Sequence, residues 1–183
     1  MIVGDIMDLD QVIAAVKGAV FVYNFAAIAD IDEAHNKPIA TAAINVMGNM
    51  HVLEAARLAG VRRYIFASSV YVYSESGSFY RASKQAAERF TETYHERYGM
   101  EYNILRYGSL YGRRSDLRNG IYRMLHEAIA DHSITYKGSG DAMREYIHVE
   151  DAARMSVQVL APEFANNHII LTGQEKLKIK DVM

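Results

Sequence analysis

The sequence has no cysteine. A disulfide framework, thiolate metal ligation and a cysteine nucleophile are therefore excluded, and the absence fits a reducing compartment such as the cytoplasm. Proline occurs only twice, so no rigid linker and no clear domain boundary is marked. Neither sign of charge dominates: the formal net charge is -2. That argues against a nucleic-acid partner, because phosphate contacts demand a basic surface. No apolar run reaches the roughly 18 residues a membrane helix needs. The opening Met1 to Asp5 has neither a basic n-region nor a long apolar stretch, so neither a signal peptide nor a membrane partner is expected. The seven histidines form no tight pair backed by acids, and no metal site is expected.

What is present is an ordinary globular balance. The chain has 183 residues, of which 50% are hydrophobic and 23% charged. That length suits about one domain and buries roughly 70% of the unfolded surface.

Short β-rich runs alternate with amphipathic stretches. Val20–Ala26, Arg63–Ser68, Tyr102–Arg106, Ile134–Tyr136, Glu145–Val149 and His168–Leu171 read as strands. Leu9–Lys17, Pro38–Ala59, Ser83–Arg97, Ile121–Ala130 and Asp151–Leu160 read as helices. Asp8 or Asp10 serves as an N-cap for the first, and Gly18, Gly60 and Gly99 serve as stops. Such alternation implies βαβ crossovers and a doubly wound parallel α/β sheet. Ligands of such sheets sit beyond the carboxyl ends of the strands.

Chemistry-bearing residues cluster at those ends. Ser68 and Ser69 close one strand, and Tyr80 and Lys84 follow four residues apart, on one helix face. An ammonium near a phenol favours the phenolate and lowers a tyrosine pKa from about 10. A tyrosine tuned in this way serves as general acid or base.

These residues carry a resemblance. Gly4-Asp5-Ile6, Asn24 to Ala27, Asn45 within Ile44–Gly48, Val61–Ser69, Tyr80 with Lys84, Leu105–Gly112 and Arg144–Asp151 stand in the same order as the motifs of extended short-chain dehydrogenase/reductases. The chain is most similar to the NAD-dependent nucleotide-sugar epimerase/dehydratase group, over nearly its whole length. The resemblance implies Ser69, Tyr80 and Lys84 as catalytic residues. It implies NAD held by Asp5, Ile6, Phe25, Ala26, Ala27 and Asn45 together with Tyr80 and Lys84. It assigns Ser69, Ser109 and Arg144 to a nucleotide-diphosphate sugar. Tyr80 is expected to take the sugar hydroxyl proton as the sugar is oxidised to a keto form, with Lys84 on the nicotinamide ribose and depressing the Tyr80 pKa. Val70, Tyr71 and Val72 follow Ser69 where the dehydratases and decarboxylases place an acid, which leaves an epimerase or a ketoreductase. A homodimer through Ser83–Arg97 and Pro38–Ala59 is also implied.

The resemblance also exposes a gap. No Gly-x-x-Gly-x-x-Gly or Gly-x-Gly-x-x-Gly turn is present, although the family receives the cofactor pyrophosphate there. The chain is expected to lack the first β-α-β portion and most of the C-terminal substrate lobe. Residues 1–183 then form a partial cofactor domain with the start of a substrate-binding region from about 107. The strand at Val20–Ala26 is expected to form an edge that pairs with another strand or another chain. A non-catalytic fragment acting as an assembly partner is the third alternative.

Overall fold

The computed structural model describes residues 1–136 and 138–183. Its chain divides into two compact units, Met1–Arg106 with Val159–Ile169, and Tyr107–Gln158 with Ile170–Met183.

In the first unit, α1 (Leu9–Val16) starts where Asp8 accepts a hydrogen bond from the Gln11 amide, 3.1 Å. Strand β1 (Phe21–Asn24) follows, then a short α2 (Ile31–Asn36) capped by Asp30. The long helix predicted from Pro38 is present but not uniform. It runs as α3 (Pro38–Ala42), a π-helical turn (Ala43–Gly48) and α4 (Asn49–Leu58). Strand β2 (Arg63–Ser69) ends in a 3-10 turn (Val70–Tyr73) and leads to α5 (Ser78–Tyr98) and β3 (Glu101–Tyr107). After Gly108 come β4 (Ser109–Tyr111), α6 (Gly120–Asp131), β5 (Met143–His148), α7 (Val149–Gln158), β6 (Asn167–Leu171), β7 (Lys176–Lys178) and α8 (Ile179–Val182).

The main sheet has the order β1-β2-β3-β6. Strands β1 and β2 are parallel, with Phe21 opposite Arg63 and Asn24 opposite Phe66. The Asn166 amide donates to the Tyr102 carbonyl, and the Gly108 amide to that of Leu171. Strand β6 therefore runs parallel to β3. Every residue of β2 is buried, as expected of a central strand covered on both faces. The core around it includes Leu53, Ala56, Tyr64, Phe66 and Ile104. The outer edge of β1 has no strand partner among the described residues. A smaller sheet has the order β4-β5-β7, with β4 parallel and β7 antiparallel to β5.

The three predicted stop glycines all have positive φ, 77° at Gly18, 65° at Gly60 and 70° at Gly99. Four expectations need correction. Residues Ile134–Tyr136 form no strand; the Thr135 amide donates instead to the Glu127 carboxylate, 2.9 Å. Helix α5 begins five residues earlier than predicted, which places Tyr80 in its first turn. The polar run Ser74–Ser78 hid that start. The π turn breaks the uniform α periodicity expected between Pro38 and Ala59. Helix α2 and the three-residue strands β4 and β7 were too short to leave a periodic pattern.

Candidate functional site

The end of β2 and the first turns of α5 bring Ser69, Tyr80 and Lys84 together. All three are buried, at 8%, 8% and 4% exposure. Ser69 closes β2, and its Oγ accepts from the Tyr71 amide, 3.3 Å, which starts the 3-10 turn. Its side chain also lies close enough to Tyr80 to act on the phenol. The Tyr71 ring meets the Tyr80 ring edge-on, with centroids 6.4 Å apart. Lys84 donates from Nζ to the Ala67 carbonyl, 2.7 Å. Its ammonium lies 4.8 Å from the Phe66 ring centroid and 5.8 Å from that of Tyr80.

The electrostatics of this cluster differ from the sequence expectation. Burial pushes the Tyr80 phenol up from its ordinary value, and the Ser69 side chain pulls it part of the way back. The net direction is upward, with the Lys84 ammonium donating to the Ala67 carbonyl. Burial in turn lowers Lys84 to about 8, against the opposing pull of Glu88.

Asn45 lies in the π turn, 2% exposed. Its Nδ2 donates to the Ile28 carbonyl, 3.0 Å, and to Ser83 Oγ, 2.9 Å, while its Oδ1 accepts from the Ile28 amide, 2.7 Å. Ser83 Oγ donates on to the Tyr80 carbonyl, 2.8 Å. Both amide donors of Asn45 are thus engaged within the chain. It braces the segment after β1 against α5.

The remaining cofactor-side residues line the carboxyl end of β1. Phe25 is exposed and stacks on Tyr23, with centroids 6.0 Å apart. The Ala26 amide donates to Asn24 Oδ1, 3.1 Å, and Ala27 follows, half-buried. Asp5 is exposed and caps the Met7 amide, 2.9 Å. Ile6 packs on Gly48, where an added Cβ would meet its side chain at 3.0 Å. The Ile6 carbonyl accepts from His51 Nδ1, 3.0 Å, which fixes that ring's proton on Nδ1. A cavity of about 620 Å³ opens here, lined in part by Gly4, Asp5, Ile6, Asn24, Phe25 and Ala26.

Ser109 and Arg144 lie in the second unit, on the neighbouring strands β4 and β5. Ser109 stands opposite Tyr146, two residues beyond Arg144. Arg113 and Arg114 follow β4; Arg113 is a surface residue 3.9 Å from Glu150. Among the described residues, no group of three or more His, Cys, Asp or Glu side chains is placed to hold a metal. No helix of these residues is long and apolar enough to cross a membrane.

Sequence reading missed the polar cluster behind Lys84. Ser68 Oγ donates to Glu88 Oε1, 2.5 Å, and Arg106 makes a paired contact with the same carboxylate. The spacing of Tyr80, Lys84 and Glu88, four and four, carried that signal.

Known proteins resemble the chain in sequence and in fold. The profile described as NAD dependent epimerase/dehydratase family matches residues 1–173. A protein of Methanocaldococcus jannaschii described as a putative UDP-glucose 4-epimerase is 29% identical over 170 residues, covering 84% of this chain and 55% of the relative. The chain thus spans about half the length of that relative. The fold superimposes on the dTDP-glucose 4,6-dehydratase of Streptomyces venezuelae, solved as a double mutant with NAD bound, with a TM-score of 0.89 and 26% identity, over 98% of this chain and 60% of that one. It also matches the UDP-glucose 4-epimerase of Thermus thermophilus, solved with NAD, with a TM-score of 0.85 and 25% identity, over 98% and 65%.

Proposed function

The chain belongs to the NAD dependent epimerase/dehydratase family, and from that premise we propose that it carries the proton-transfer centre of an NAD-dependent nucleotide-sugar epimerase. The observation that carries this reading is the convergence of Ser69, Tyr80 and Lys84 in one buried cluster at the end of a central parallel strand.

The residues fit the nicotinamide end of the cofactor. Lys84 is a buried ammonium that gives one hydrogen bond to Ala67 and has three donors in all. The β1 end offers a braced loop and a cavity. The pyrophosphate end has no glycine-rich turn in this sequence to receive it. NAD, when bound, supplies the oxidation of the sugar carbon and its return reduction. Phe25, Ala26, Ala27, Asp5 and Ile6 would line its place, and Lys84 would hold its ribose.

The chain's own residues handle the proton. Ser69 orients the reacting oxygen through its hydroxyl. Tyr80 is held as a phenol by burial, so it stands ready to return a proton to a sugar oxyanion. To take that proton first it needs the phenolate form, which the Lys84 ammonium favours when it turns from the Ala67 carbonyl towards the phenol. No acid follows Ser69, and Glu75 is exposed, which supports epimerisation over dehydration. Ser109 and Arg144 are the residues we assign to the sugar nucleotide. The exposed Ile39, Met47, Leu58 and Tyr98 on the helices of the first unit support a homodimer, and the lack of cysteine supports a cytoplasmic setting.

The test is turnover of UDP-glucose and related nucleotide sugars with added NAD, in the parent and in Tyr80→Phe. The expected loss is about 10²–10⁴-fold with an unchanged melting temperature. Near-normal turnover in the variant, or no conversion of any nucleotide sugar by the parent, overturns the reading. Stoichiometric consumption of NADH or NADPH would replace it with a ketoreductase.

A further inference from the structure

Tyr80, Lys84 and Glu88 form one stripe on α5, four residues apart, all facing inward. Glu88 is 6% exposed, so its carboxylate depends on partners for its place. It has three. Ser68 Oγ donates to Oε1, 2.5 Å; Arg106 donates from Nε to Oε1, 3.0 Å, and from Nη2 to Oε2, 2.6 Å. Arg106 is itself fixed. It donates to the Tyr73 hydroxyl, lies 4.9 Å from the Tyr73 ring centroid, and donates to His168 Nδ1, 2.7 Å. The His168 ring therefore carries its proton on Nε2, which faces Glu92, 2.9 Å.

Four elements besides α5 meet at this cluster: β2, the 3-10 turn, β3 and β6. The ionisable groups facing the stripe are Tyr71 and Tyr73 from the turn, Arg106 from β3 and His168 from β6. Tyr80 and Glu92 belong to α5 itself. Among the groups that act electrostatically on Lys84, Glu88 is the carboxylate. Ser68 also sits next to Ser69, so the strand end that carries the proposed catalytic hydroxyl is tied to the same carboxylate.

We propose that Glu88 is a positioning residue, which keeps Lys84 in place as an ammonium and fixes the Ser68–Ser69 strand end beneath Tyr80. This rests on the reading of Ser69, Tyr80 and Lys84 as the working cluster. Burial alone drives Lys84 toward its neutral amine, which would neither hold a ribose through three donors nor favour a phenolate. The negative charge of Glu88, one helical turn further, opposes that loss. Arg106 and Ser68 hold the carboxylate on the correct side, and without Glu88 the Arg106 charge would act on Lys84 unopposed.

The test reads Lys84 directly, with no cofactor or substrate present, so its outcome is separate from that of the turnover assay. The chain is labelled with ¹³C-lysine, the Lys84 side-chain signal is assigned by its loss in Lys84→Arg, and its titration is followed by NMR. In Glu88→Gln the Lys84 midpoint should fall by about one pH unit, while Glu88→Asp should retain most of the parent value. An unmoved midpoint in folded Glu88→Gln overturns the proposal. Should Glu88→Gln fail to fold, Glu88→Gln combined with Arg106→Met removes the unpaired guanidinium and must show a fall in the same direction, smaller because the Arg106 charge is gone as well. Loss of the fold in both variants would make the cluster purely structural and would equally overturn the proposal.

Discussion

In the first unit Asn24, Asn45, Asn49, Arg63, Lys84 and Glu88 all lie inside, whereas Ser156 is the one polar side chain that the second unit buries among the described residues. The second unit instead carries its charges outside. Arg118 pairs with Asp116, Arg154 with Asp151, and Lys178 and Lys180 with Asp141, all on exposed side chains. The two arrangements have different energetic meanings. A buried polar group is costly unless its partners are in place, so it specifies one geometry. An exposed ion pair is screened by water and salt and specifies little. Equal distance does not mean equal worth: Arg106–Glu88 and Arg118–Asp116 are both 2.6 Å pairs.

Arg63 offers the hardest test of this contrast. Its side chain is fully buried and binds Glu101, Asn103 and the carbonyls of Val159 and Ala161. Arg63→Ala should cost about 3–5 kcal/mol of unfolding free energy, because it empties a fully buried site and leaves Asn103 and the Val159 carbonyl without their donor. Urea denaturation measures it, and a cost comparable to that of a surface substitution would erase the distinction drawn between the units.

An intermediate effect is expected from pH. Folding lowers Lys84 from 10.5 to about 8. Between those values the unfolded chain binds the additional proton, so this residue makes stability rise with pH there and penalises the fold fully below about 8. Buried Tyr64 and Tyr80 have the opposite sign: their pKa values are raised, and their contribution is lost as pH climbs past the ordinary tyrosine value of 10.0. Lys84→Met should therefore flatten the rise below pH 10 and leave the alkaline fall intact. Denaturation midpoints across this range supply the comparison; parallel curves for parent and variant would refute it.

The smallest effect belongs to the second unit. Lys180→Ala, which removes an exposed partner of Asp141, should leave the melting temperature within error at physiological salt. A clear drop would show that its surface pairs act as a network.

Much of the site was legible because its signals are local. Tyr80 and Lys84 announce a shared helix face by spacing alone, and the alternation of apolar runs with amphipathic stretches announces a parallel sheet. The missing parts depend on tertiary contacts. The π turn around Asn45 arises where a helix must present one side chain to both Ile28 and Ser83, and no periodicity encodes that. Arg106 lies within the Leu105–Gly112 run, but its partners lie on α5, the 3-10 turn and β6, which spacing does not reveal. The direction of the Tyr80 shift is hidden from the sequence for a related reason. Spacing shows that Lys84 is near, but only packing shows that its ammonium faces the Ala67 carbonyl.

The Asn45 brace also bears on the heat of binding. The Ile28 backbone is tied at both its amide and its carbonyl by bonds within the chain, so the order of the segment after β1 does not depend on a ligand. A molecule settling on Phe25 to Ala27 meets a preorganised surface. Its calorimetric signature there should be the heat-capacity change of the apolar area it covers, with no added contribution from a loop that folds around it.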